Sequence, residues 1–238
     1  MRENPIGEVV ESSTATFVAQ CLEVPRQDRP RLFDPPVFGS FVKVARGGPA
    51  SAQTSAALPE ADEADPFAEP PSAQDLQFQP AIYGLVFSAC TTSLESNRRP
   101  SALGLADEDE IARTQPQIFE LLRTEFSALS IAYSSEGEKG LRRHIPPIPP
   151  RIHARVYSCD EKEVRALVED LSFLRGILLS NSTMLNGVPS DELAAACLRE
   201  SRRAAGDDNR FLLQAGKTLA AILIDDYERL QSILRNVI

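Results

Sequence analysis

Residues 6–22 read IGEVVESSTATFVAQCL, and this stretch decides the fold. It holds two β-rich runs, 6–10 and 14–22, joined by a short polar turn at Ser12 and Ser13, the pattern of neighbouring strands. Within the second run Phe17, Ala19 and Cys21 share one face by simple alternation. Two later stretches continue the theme: VFGSFVKVA at 37–45 and AIYGLVFSACTT at 81–92. Phe38-Gly39 followed by Phe41-Val42 is mirrored by Tyr83-Gly84 followed by Val86-Phe87, as two strands of one small barrel would be. A glycine inside such a run implies a bulge or a close backbone approach. ALSIAYS at 128–134 and RIHARVYSC at 151–159 read as further strands, with a turn at 136–140. The IPPIPP run at 145–150 is extended, because a residue before proline avoids the helical region.

Working outward, the character of the chain changes twice. Residues 47–80 carry Glu60, Asp62, Glu63, Asp65, Glu69 and Asp75 among Pro, Ala and Ser, with no positive charge. Such a composition buries too little apolar area to offset its ordering entropy, which predicts a disordered acidic insertion. Residues 107–126 read as a helical insertion. An acidic first turn (Asp107 to Glu110) favours a helix start, Pro116 divides the stretch, and Ile118, Leu121, Leu122 and Phe126 form the apolar face of its second part. From Asp160 onward the periodicity is helical over 160–182, 189–205 and 209–237. Asp160 and Glu163 have the spacing of a capping box. Leu167, Leu171, Leu174 and Leu178 form one stripe, and Leu219, Ile222, Leu223, Leu230 and Ile233 another. These stripes form a candidate helix interface, packing together as a bundle or hairpin or pairing with another chain. The expected fold is α+β: a small β-barrel over 1–158 followed by a helical domain over 159–238.

The 238 residues carry 25 Lys and Arg against 34 Asp and Glu, a net charge of -9. A protein built to grip phosphates usually has the opposite balance. No apolar run is long enough to span a membrane, and the opening residues lack the apolar core of a signal peptide, so a cytoplasmic location is expected. Cys21, Cys90, Cys159 and Cys197 are too far apart for a C-x-x-C pair and read as buried free thiols. His144 and His153 are the only histidines, too few for a histidine-based zinc site without distant help. No nucleophile elbow, metalloprotease or dinucleotide motif occurs. No enzymatic activity, metal or cofactor is expected.

The order IGEVVESSTATFVAQCL, VFGSFVKV, IYGLVFSA, PPIPPRIHARVY resembles the HerA–ATP synthase barrel (HAS-barrel), the N-terminal module of HerA-type DNA translocases and of rotary ATP synthase subunits. The match covers about residues 5–45, 80–92 and 127–158. In that family the barrel is an assembly element beside a P-loop motor domain, and in HerA-type proteins it lies near the nuclease NurA. The resemblance therefore implies a partner of the ATPase or nuclease class, and possible homo-oligomers. This chain departs from the motor itself. A P-loop needs glycine five positions before Gly216-Lys217-Thr218, where Phe211 stands, and AAILIDD, ending at Asp225-Asp226, follows too closely for a returning strand.

One charge feature runs against the acidic total. Arg98, Arg99, Lys139, Arg142, Arg143, His144, Arg151 and Arg155 fall around the second half of the barrel. Converged, they would form a basic interaction face for an acidic protein or, weakly, for nucleic acid. Scattered, they are solvated arginines. The leading expectation is a non-catalytic protein-binding module that docks onto a larger complex; the alternative is a weak nucleic-acid-binding barrel.

Overall fold

Six antiparallel strands close into a barrel in the computed structural model, which describes residues 4–22, 35–45, 80–95, 99–102, 104, 107–115, 117–135, 140–180, 183–206 and 209–237. They are β1 (Gly7–Ser12), β2 (Thr16–Cys21), β3 (Phe41–Ala45), β4 (Ala81–Ser93), β5 (Leu122–Ser134) and β6 (Arg155–Ser158). The order around the barrel is β1-β2-β5-β4-β3-β6, with β6 returning to β1. Alternation sends Val9, Phe17, Ala19, Val42, Val44, Ile82, Phe126 and Val156 into the interior. Gly84 is small for a packing reason: a Cβ there would stand 2.9 Å from the Phe17 ring. The expectations for 47–79, the turn at 136–139, Arg98 and Lys139 lie outside the described residues.

The outer face of β3, β4 and β5 is apolar as well. Phe41, Tyr83, Leu85, Phe87, Leu129 and Ile131 pack into one core with the C-terminal helices. Those helices are, after α1 (Glu108–Thr114) and α2 (Gln117–Glu120), α3 (Glu161–Val168), α4 (Phe173–Leu178), α5 (Ser190–Ala205), α6 (Asn209–Ile222) and α7 (Tyr227–Val237). Phe41 meets Phe173 edge-on at 6.4 Å. Lys43 on β3 reaches Glu163 on α3 at 2.7 Å. Glu163 also closes a complete capping box with Asp160. Gly39, with φ +81°, seats the loop before β3 on α5, where a Cβ would fall 2.6 Å from Ala196.

Several expectations are corrected. The helical reading of 107–126 ends at Glu120; Leu122 opens β5, and Phe126 lies inside the barrel paired across from Ala19 and Ala89. The spacing of Leu121, Leu122 and Phe126 suits either structure, and pairing with the long β4 decides for the strand. The 160–182 helix breaks after Val168, where Asp170 accepts hydrogen bonds from the Ser172 backbone N–H and hydroxyl. The 209–237 helix breaks after Ile222, and Asp226 accepts from the Arg229 N–H at the start of α7. The strand expected at 37–45 begins only at Phe41, so Gly39 makes its close approach from a turn. Cys90 is exposed rather than buried.

Candidate functional site

At one rim of the barrel the extended proline segment runs beside β1. The Val9 N–H donates to Ala154 O at 2.9 Å, the His153 N–H donates to Val9 O at 2.8 Å, and the Ser12 hydroxyl donates to Pro150 O at 2.7 Å. Pairing of β1 with β2 slips between Val9 and Glu11, leaving Val10 as the extra residue of a bulge. Prolines cannot donate to a ladder, so this segment cannot bury its isoleucines as a strand would. Val10 is 39% exposed, Ile145 49%, Ile148 59% and Ile152 48%. An apolar rim bordered by polar groups is the kind of surface that marks a binding site.

The charges at this rim are partly paired. The Glu8 carboxylate takes His153 Nδ1 at 2.7 Å on one oxygen and Arg155 Nη1 at 3.2 Å on the other. Arg151 is exposed between Ile148 and Ile152. Other members of the basic set make separate contacts. Arg142 pairs through its backbone with Tyr133, and His144 stacks edge-on against the Tyr133 ring at 5.2 Å. Arg99 is exposed on the segment after β4.

Arg143 has a structural task. It donates to Ala166 O at 2.6 Å and Leu167 O at 3.2 Å, satisfying carbonyls at the end of α3. The same device recurs: Arg165 donates to Ala204 O on α5, Arg199 to Asn236 O on α7, and Arg229 to Leu178 O on α4. Arg229 also grips Asp191 through Nε at 2.7 and 2.8 Å, a contact that holds its guanidinium above its ordinary pKa. Cations at helix C-termini favour the negative end of the dipole and fill orphan acceptors.

The striped leucines serve the internal core. Leu167, Leu171, Leu174, Leu178, Leu219, Leu223 and Ile233 are buried, with Ile222 and Leu230 half-buried against them. Burial, reinforced by the Glu163 carboxylate, pushes the Tyr83 phenol well above the ordinary tyrosine range. Burial pushes the Cys197 thiol up to about 12. A cleft of about 390 Å³ opens between barrel and helices, lined among others by Phe41, Cys159, Glu161, Val164, Glu200 and Arg203. Its Glu200 and Arg203 are already paired at 2.6 Å. Gly216-Lys217-Thr218 lies within α6. Among the described residues no group of His, Cys, Asp and Glu could hold a metal ion, and no helix is long and apolar enough to cross a membrane.

Comparison with known protein families and with curated proteins finds no match for this chain. The rim isoleucines were missed at the sequence level as a binding feature, although IPPIPP carried the signal: apolar side chains placed where no ladder can form. Val10 left no such signal, since its exposure arises from a slip in pairing.

Proposed function

We propose that this chain is a non-catalytic protein-binding module whose barrel is of the HerA–ATP synthase type and whose apolar rim docks onto a larger complex. The observation that carries this reading is the exposure of Val10 on β1 and of Ile148 and Ile152 on the segment whose Pro150, His153 and Ala154 are hydrogen-bonded to β1 of a closed barrel. Isolated exposed apolar residues need no explanation, but a group of them beside a rigid proline run costs little ordering entropy on binding. The partner is of the P-loop ATPase or nuclease class that the barrel resemblance implies, and the C-terminal helices form a bundle that stiffens the barrel. Arg151, set among the isoleucines, selects a partner surface that is apolar with an acidic border.

The test is affinity capture of the tagged chain from its own cells. The expected result is an ATPase or nuclease in fixed ratio, reduced at least about tenfold by Ile148→Asp with Ile152→Asp, surface changes that alter stability by only about 0.5 kcal/mol. Capture unaffected by the double variant would overturn the rim assignment. Capture abolished by nuclease treatment would replace the reading with nucleic-acid binding.

A further inference from the structure

The β4–β5 hairpin outgrows its neighbours. β4 pairs with β5 along its whole length, from Ala81↔Ser134 to Ser93↔Leu122, whereas β3 pairs with β4 only from Ala81 to Leu85. The last bonds on the β3 side are Gly39 N–H to Val86 O at 2.8 Å and Val86 N–H to Ser40 O at 2.9 Å. Beyond them no described strand other than β5 pairs with Ser88–Ser93, and Ala89, Cys90, Thr91 and Thr92 are exposed.

The pleat decides which groups face outward. Leu94 N–H donates to Leu121 O at 2.8 Å, so Leu94 faces β5. By alternation Thr92 and Cys90 face β5 too, while Ser93, Thr91 and Ala89 turn their N–H and C=O groups to the open edge. The bulge between Val86 and Ser88 accounts for the change of phase from Val86. Such an edge is usually blunted by Lys, Pro or an inward charge. Here it reads Ser88-Ala89-Cys90-Thr91-Thr92-Ser93, without a charge or a proline.

We infer that this edge pairs with the same edge of a second copy, antiparallel about a two-fold axis at Thr91. The register is self-complementary: Thr91 meets the partner's Thr91 and Ala89 meets the partner's Ser93, giving about six N–H···O bonds. Two further observations favour a second copy. Arg123 flanks Thr92 and Glu125 flanks Cys90 on β5. The two-fold places each Arg123 in the same cross-sheet row as the partner's Glu125, about 14 Å across the four strands, so the two charged rows each carry opposite signs. Leu94 is exposed at one end of the edge and Val37 and Phe38 at the other. The two-fold brings Leu94 of each copy to the Val37–Phe38 end of its mate. This pairing uses a different surface from the rim, so either assignment stands if the other fails.

Sedimentation velocity of the full chain at about 100 µM, a concentration suited to a small interface, should give twice the chain mass. Thr91→Pro removes the central edge donor and leaves the backbone bonds to β5, losing only the Thr91 Oγ1–Thr124 Oγ1 hydrogen bond at 2.9 Å, and should give a single-chain mass. Thr92→Cys supplies an independent arm. In this register the introduced thiol lies opposite the partner's Cys90, so oxidised glutathione, taking up two electrons and two protons per bond, should link the chains. The same variant carrying Cys90→Ser should not link. Native Cys90 alone lies diagonal to its mate, about 7 Å or more away, and should link poorly. A single-chain mass for the unaltered protein at that concentration, or no cross-link with Thr92→Cys, would overturn the inference.

Discussion

At the scale of single residues, Gly39 and the four cysteines give the sharpest expectations. Gly39 combines a left-handed backbone with a site for Cβ already filled by Ala196. Gly39→Ala should therefore cost about 2–3 kcal/mol, measured by urea unfolding. Its close approach was one of the two readings the sequence offered, the other being a bulge, although both placed it inside a strand rather than in the turn before β3. Its contact on α5 was not legible, because nothing local links residues 39 and 196. Cysteine burial was legible only in part. Cys21 and Cys197 are buried, Cys159 is half-buried, and Cys90 sits beyond the last residue that β3 covers. A native thiol assay should label Cys90 first, with Cys197 reacting only after unfolding. Cys197 also has a pH signature. Its pKa is raised from 9.0 to about 12 in the folded chain, so the fold binds the proton more tightly than the unfolded chain does. Its contribution to stability is full below pH 9 and is lost as pH rises toward 12, with Tyr83 shifted the same way. Unfolding midpoints measured across that window should fall; an unchanged midpoint would contradict the buried neutral thiol.

At the scale of elements, arginines bind the helix ends. Arg143, Arg165, Arg199 and Arg229 each satisfy a terminal carbonyl, and Arg143 does so from outside the helical segment, tying the β5–β6 connection to α3. Arg229→Met keeps the bulk but strands Asp191, Leu178 O and the Ser190 hydroxyl, which accepts from Arg229 Nη2 at 3.0 Å, and should cost about 1–3 kcal/mol in thermal unfolding. Lys at the same position should recover little, lacking the planar fork. Of these arginines, Arg143 read in the sequence as part of a basic face, because a capping arginine and a solvated one have the same local context. Strands β1, β2 and β4 were legible from alternation and glycine position. The start of β5 was not: LLRTEF fits a helical stripe as well as a strand, and only the partner strand resolves it. The capping box of α3 was legible in full, since both of its bonds are local.

At the scale of the whole molecule, one core joins barrel and helices. Phe41, Tyr83, Leu85 and Phe87 pack in the same cluster as Leu174, Leu193, Cys197 and Leu219. Leu174→Ala, a fully buried truncation, should cost about 2–5 kcal/mol and destabilise strands and helices together. Circular dichroism and near-UV signals should then follow a single transition; two separated transitions would contradict the shared core. The periodicity signalled an α+β chain and its apolar stripes, but not that those stripes would be spent on the outer face of β3–β5. With the helical stripes buried in the shared core, the proposed function assigns partner binding to the apolar rim. Hydrogen exchange of the free chain against the complex isolated by affinity capture tests that claim most directly. The account predicts new protection at residues 9–12 and 141–153, with α6 and α7 unchanged. Protection confined to α6 and α7, or none at the rim, would contradict it.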